Sequence, residues 1–257
     1  MNMKPIIEFK KVSIAFGKNK VIQGLDLSIY PGETITIIGG SGSGKSVTLK
    51  LLLGVLYPDS GQIFYEGRDV TLMNEKDLID MRKEFGVLFQ GSALFDSLTV
   101  RENIAYPLRE HFDYSEQEIS RIVAKKLSLV GLPDVEDMMP ADLSGGMKKR
   151  VGLARAIATD PKVILYDEPT TGLDPTNTQR INRLIVQMQK TLKVTSIVVT
   201  HDMPSAFQVS DRLALLKEGK ICFVGTVEEA KQSTHETVRD FIEGRMETVE
   251  PLKALGG

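Results

Sequence analysis

The sequence of 257 residues is long enough for one large α/β domain with a core that needs no covalent staples. Its 32 Lys and Arg against 34 Asp and Glu leave a formal charge of −2, so no basic field exists to attract nucleic acid. A single cysteine, Cys222, excludes an internal disulfide, no His/Cys cluster has metal-ligand spacing, and apolar runs such as residues 51–57 fall far short of the ~18 needed to span a bilayer; with no signal-peptide pattern at the amino terminus, a soluble chain in a reducing compartment is expected, with any membrane role carried by partners.

Residues 25–29 alternate apolar and polar and stop at Pro31-Gly32, which predicts a strand on an antiparallel edge. Residues 35–38, 163–166 and 196–199 are short, continuously apolar and rich in Ile or Val, the pattern of strands buried on both faces of a parallel sheet. Between the first two, residues 98–108, 115–130 and 145–158 carry helical spacing. Residues 91–160 therefore read as a helical lobe inserted into an α/β core. Residues 212–216 and 221–224 flank Glu218-Gly219, a hairpin signature, and the chain from Thr226 onward reads as helical.

The segment Gly39-Gly40-Ser41-Gly42-Ser43-Gly44-Lys45-Ser46 follows the first buried strand and opens a helical segment at Val47, the context required of a phosphate-binding loop. Glycines are needed because consecutive N–H groups must converge on phosphate oxygens with no Cβ in the way, and the following helix adds its positive end. Lys45 supplies charge for the outer phosphates and Ser46 a hydroxyl for Mg²⁺. Asp167 and Glu168 end the second buried strand. Because side chains alternate along a strand, the two carboxylates are expected to diverge, Asp167 toward the metal and Glu168 toward the attacking water. His201 closes the third buried strand, where an imidazole can bond a γ-phosphate or hold Glu168. His111 and His235 have no such context and read as surface residues.

With these residues in place, the chain resembles the nucleotide-binding subunit of ATP-binding cassette transporters over essentially its whole length. Leu143-Ser144-Gly145-Gly146-Met147 is similar to the family signature, and Ser144 is a good N-cap with Gly145 and Gly146 exposing N–H groups at a helix start. The resemblance implies a P-loop NTPase of the ABC ATPase type: a mixed-sheet core with an antiparallel β edge (residues 1–90 and 161–244), the helical lobe at 91–160, and a tail at 245–257. It implies that Gln90 links Mg²⁺ or water to the lobe, that the loop with Asp174 crosses a dimer interface, and that Phe16 lies against adenine, although an ordinary core role for Phe16 stays open. It further implies a homodimer in which each subunit's Ser144, Gly145 and Gly146 complete the other's ATP site, seated on integral membrane permease subunits at the cytoplasmic face of the inner membrane. Met147 in place of the usual glutamine, and the segment 88–111, resemble the ATPases of bacterial lipid-asymmetry transporters. Those work with mammalian-cell-entry-type lipid-binding proteins and a small cytoplasmic regulatory subunit. Leu94, Phe95 and Leu98 read either as lobe core or as an apolar groove for a partner helix. Phospholipid transport is thus the expected role, with a small-solute importer or a soluble cassette scaffold as alternatives.

Overall fold

The computed structural model describes residues 4–244; the expected tail, 245–257, lies outside the described residues. Strands β1 (Ile7–Phe16) and β2 (Asn19–Ile29) form an antiparallel pair, after which β3 (Thr34–Ile38) runs into helix α1 (Lys45–Leu52). Strands β4 (Ser60–Tyr65) and β5 (Arg68–Asp69) return to the first pair, giving a four-stranded sheet ordered β2-β1-β4-β5. Helix α2 (Glu75–Arg82) leads to β6 (Phe85–Leu88), and three helices follow before the next strand: α3 (Val100–His111), α4 (Glu116–Leu129) and α5 (Gly145–Ala156). The chain then alternates through β7 (Val163–Asp167), α6 (Pro175–Leu192), β8 (Thr195–Thr200) and α7 (Met203–Val209), and closes with the hairpin β9 (Arg212–Lys217) and β10 (Lys220–Thr226) and helices α8 (Val227–Lys231) and α9 (Glu236–Glu243).

The second sheet is ordered β10-β9-β3-β8-β7-β6, with every pairing parallel except β10 against β9. Its three expected parallel strands are present. β3 and β8 are buried at every residue and β7 at every residue but Asp167, consistent with helices covering both faces. The expected hairpin turn is also present, with Glu218 and Gly219 both at positive φ, as a tight antiparallel connection requires.

The helices between β6 and β7 start where local chemistry starts them. Thr99 and Ser115 cap α3 and α4 in reciprocal capping boxes with Glu102 and Glu118. Helix α3 therefore begins two residues later than the spacing from residue 98 suggested. These helices bury Ile104, Leu108, Val123 and Leu127 in a core continuous with Ile164, Tyr166 and Val198 from one face of the parallel sheet, so the lobe shares its hydrophobic interior with the strands beneath it. Elements beyond those expected are β1, β4 to β6, α2, α6 and α7.

At one place β6 and α5 meet without room for a side chain. A Cβ on Gly86 would lie 2.1 Å from the backbone carbonyl oxygen of Ala156, and backbone cannot rotate out of the way. Gly86→Ala is expected to destabilise the protein by about 1–3 kcal/mol, read as a lowered thermal unfolding midpoint; an unchanged midpoint would mean that strand and helix are less tightly joined than the structure shows.

Candidate active site

In a parallel sheet the carboxyl ends of all strands lie along one edge, and that edge is where ligands enter open α/β folds. Here β3, β8, β7 and β6 are consecutive neighbours, so the residues that follow them converge: the loop 39–46 after β3, His201 after β8, Asp167 and Glu168 at the end of β7, and Gln90 just beyond β6. They border a cleft of about 680 Å³ lined by Phe16, Gly40, Ser41, Gly42, Gly44, Lys45, Ser46, Val47, Gln90, Glu168 and His201. Phe16 is half exposed at the end of β1, so the open alternative of an ordinary core position is not its place here.

The phosphate loop turns into α1 through Gly44, which is the N-cap at a φ of +105°, a conformation that a side chain at this position would strain. Lys45 is buried, and its Nζ donates to the carbonyls of Gly39 (2.8 Å) and Gly40 (3.0 Å), which keeps the ammonium inside the curve of the loop. Burial pushes the Lys45 ammonium below the usual lysine range, opposed by the charge of Glu168, whose Oε1 is 3.7 Å away. Ser46 Oγ donates to Asp167 Oδ1 at 2.8 Å. A hydroxyl and a carboxylate held together beside a phosphate loop are hard oxygen donors of the kind Mg²⁺ takes while keeping most of its waters.

Glu168 has partners separate from that pair: β7 ends at Asp167, and a turn at Glu168, rather than alternation along the strand, gives the two carboxylates different contacts. Its carboxylate is buried and fixed from three sides: His201 Nδ1 lies 2.9 Å from Oε1, and the hydroxyls of Thr200 (3.1 Å) and Thr171 (3.2 Å) donate to Oε2. Its backbone sits at a φ of +48°, a left-handed conformation that costs a non-glycine residue of order 1 kcal/mol and is commonest at functional sites. Its own N–H is held by the carbonyl of Val199 at 2.9 Å. The rest of the His201 side chain is largely exposed and lines the cleft. Neither threonine was given this role from sequence: Thr171 opens the loop to Asp174 that the resemblance assigns to a dimer interface, and Thr200 ends the third buried strand. Thr200 directly precedes His201, but nothing in the composition shows that its hydroxyl turns back onto Glu168.

Ser144, Gly145, Gly146 and Asp174 do not line this cleft. Ser144 and Gly145 are exposed at the start of α5, where Ser144 Oγ accepts from the N–H of Met147 at 3.3 Å. Gly146 is buried against Asn177, whose Oδ1 would lie 2.4 Å from a Cβ placed there. Asp174 caps α6 by accepting from the N–H of Asn177, and its side chain also holds the Asn177 amide. That amide bond, more than any other contact, holds the Asp174 carboxyl below its usual range. Within one chain, then, Asp174 aligns the first turn of α6 against the first turn of α5.

Lys45→Ala removes the charge from the floor of the cleft and leaves the carbonyls of Gly39 and Gly40 without it. Loss of ATP binding is the expected result, read by fluorescent-nucleotide titration; normal affinity would overturn the assignment of this loop.

Residues 22–171 match the protein family described as ABC transporter, more than half of the chain. The chain belongs to the ABC transporter ATP-binding family. It is 42% identical over 95% of its length to a probable ribonucleotide transport ATP-binding protein of Mycobacterium leprae, covering 71% of that protein. It is 39% identical over 93% of its length to the intermembrane phospholipid transport system ATP-binding protein of Haemophilus influenzae, and 34% identical over 98% to the protein of the same name in Escherichia coli, covering 90% and 94% of those proteins. Among solved structures, an ATP-binding cassette bound as a dimer to ADP and phosphate in a post-hydrolysis state aligns with a TM-score of 0.79 at 29% identity, covering 86% of this chain and 98% of that one. A cassette of Clostridium perfringens from a transporter complex aligns at 0.82 and 30% identity over 95% and 96%. This chain is accordingly an ATP-binding and ATP-hydrolysing subunit with the ABC ATPase fold, and no helix among its described residues is long and apolar enough to cross a membrane.

Proposed function

We propose that this ATPase drives phospholipid transport from the cytoplasmic face of a bacterial inner membrane, maintaining the lipid asymmetry of the outer membrane. Support comes chiefly from two relatives named for intermembrane phospholipid transport, which align over nearly their whole length, whereas the relative named for ribonucleotide transport is covered only to 71%. Met147 in the signature and the segment 88–111 point the same way. A small-solute importer and a free scaffold are the weaker readings.

In this reading 1–90 and 161–244 form the catalytic core and 91–160 the lobe that carries the signature. ATP enters the cleft with its adenine against Phe16 and its phosphates on the loop 39–46 and Val47. Ser46, Asp167 and Gln90 would hold Mg²⁺, which would supply positive charge to the phosphate oxygens. Glu168 takes or orients the proton of the attacking water, with Thr171, Thr200 and His201 fixing its carboxylate. Two chains form a two-fold dimer in which Ser144, Gly145, Gly146 and Asp174 of each face the other's cleft, so that ATP draws the subunits together and hydrolysis lets them part. That movement passes to integral permease subunits, through which the chain is held at the membrane. A mammalian-cell-entry-type protein and a small regulatory subunit complete the assembly.

A permease helix has a receptive surface available. A groove of about 410 Å³ between β6 and the lobe is bordered by Phe85, Val87, Phe89, Phe95 and Tyr106, with the rings of Phe95 and Tyr106 4.9 Å apart. Of the three residues expected there, only Phe95 lines this groove; Leu94 packs into the lobe core, and Leu98 is half-buried away from the groove lining. Isolating the chain from its native membrane and identifying co-purifying proteins and lipids by mass spectrometry tests the proposal. An integral membrane partner with bound phospholipid supports it. A membrane partner that carries a polar solute and no phospholipid, or no membrane partner at all, overturns it.

A further inference from the structure

Helix α5 does more than present its first turn to a partner. Two residues beyond the signature, Lys149 is buried, 4% exposed. The ammonium donates to two backbone carbonyls that the chain brings together from distant positions: that of Gln90 at 2.5 Å and that of Glu168 at 3.3 Å. No carboxylate forms a close ion pair with it among the described contacts. Burial pushes the ammonium below its ordinary range, while the charges of Asp167 and Glu168 act to keep it protonated. Taking a lysine out of water costs several kcal/mol unless its donors are satisfied, so a chain that needed only packing here would place an apolar side chain at no such cost.

Both carbonyls belong to constrained segments. Glu168 sits at a φ of +48°, with its N–H anchored on Val199 and its carbonyl on Lys149, so the unfavourable turn that aims its carboxylate is held at both ends. The loop after Gln90 passes through Ser92 and Ala93, both also at positive φ. Arg155, six residues further along α5, donates to the carbonyls of Ser92 (2.8 Å) and Ala93 (2.7 Å). The loop is thus fastened to the signature helix at two places, and Lys149 alone extends that fastening to the buried carboxylate residue.

We propose that Lys149 is a positioning residue that locks the signature helix of a subunit to the backbone of Gln90 and Glu168 in that same subunit, so that a shift of the lobe is felt directly at the groups that prepare the attacking water. Lys149 touches neither nucleotide nor water; it acts through the residues that do. The inference rests on Glu168 as the water-orienting carboxylate.

The test compares Lys149→Met, which keeps the length of the side chain and loses its donors, with Lys149→Gln, which keeps a donor, in the full-length chain. Turnover should fall about tenfold to a hundredfold in Lys149→Met with ATP affinity and KM within about twofold of wild type, since a misplaced catalytic group costs rate more than binding. Lys149→Gln should recover part of that rate. Wild-type turnover in Lys149→Met, or equal loss of affinity and rate in both variants, overturns the proposal. If Lys149→Met does not fold, Lys149→Leu, which also lacks donors, takes its place: a fall in kcat without a rise in KM supports the positioning role, and unchanged kcat refutes it. Glu168→Gln run beside them separates the two ideas, because normal hydrolysis there removes the underlying assignment, whereas an inactive Glu168→Gln with a fully active Lys149→Met removes only this one.

Discussion

Glu168→Gln is expected to bind ATP with near wild-type affinity and to lose hydrolysis by roughly two orders of magnitude or more, the range for removal of an acid–base group. The substitution is nearly isosteric, and the amide oxygen can still accept from Thr171 and Thr200, so the buried site has no reason to rearrange. What disappears is the charge that His201 Nδ1 meets at 2.9 Å and that Lys45 Nζ approaches at 3.7 Å. Binding depends on the loop 39–46 and survives; proton removal from water depends on the carboxylate and does not. Single-turnover phosphate release, set beside equilibrium nucleotide binding, reads the two separately. Hydrolysis near the wild-type rate would take Glu168 out of the role given to it.

The legible and illegible parts of this site divide along a physical line. Parallel strands buried on both faces are continuous apolar runs, and each run ends where the sheet meets solvent, so the polar residue at the end of a run is marked by position alone. That is how Asp167, Glu168 and His201 could be named. The antiparallel sheet left a weaker trace. In β1 the alternation breaks at Lys11, at a φ of +49°, so that buried Phe9 and Val12 are three residues apart instead of two. Strand β4 buries only Ile63 and Tyr65, too short a pattern to stand out. Helix α6 does carry the helical period in Ile181, Leu184, Ile185 and Met188, with Asp174 and Pro175 at its start, and it was open to being read. Groups that act across the fold are another matter. Thr200 is 32 residues from Glu168 and Lys149 is 59 from Gln90, and only the packing of β7, β8 and α5 brings them together.

That same division bears on the start of α5. Ser144 and Gly145 are exposed at the start of the helix, and the cleft of their own chain does not include them. A helix start is a ready anion site, so the exposed signature fits a phosphate belonging to another molecule. Ser144→Arg fills that position with a long side chain and should cripple hydrolysis, while Lys45→Ala cripples it by losing ATP. Mixing the two inactive chains should restore activity, because the Ser144→Arg chain contributes an intact Lys45 and the Lys45→Ala chain an intact Ser144. With random pairing about half of the dimers are mixed and each holds one sound site of two, so about a quarter of wild-type turnover is expected if the sites act independently. Steady-state ATPase assays across a series of mixing ratios should then peak at equal amounts, a maximum that neither parent alone can produce. A flat profile at the level of the parents would mean that each cleft is completed within its own chain, and the dimeric reading of the signature would have to be given up.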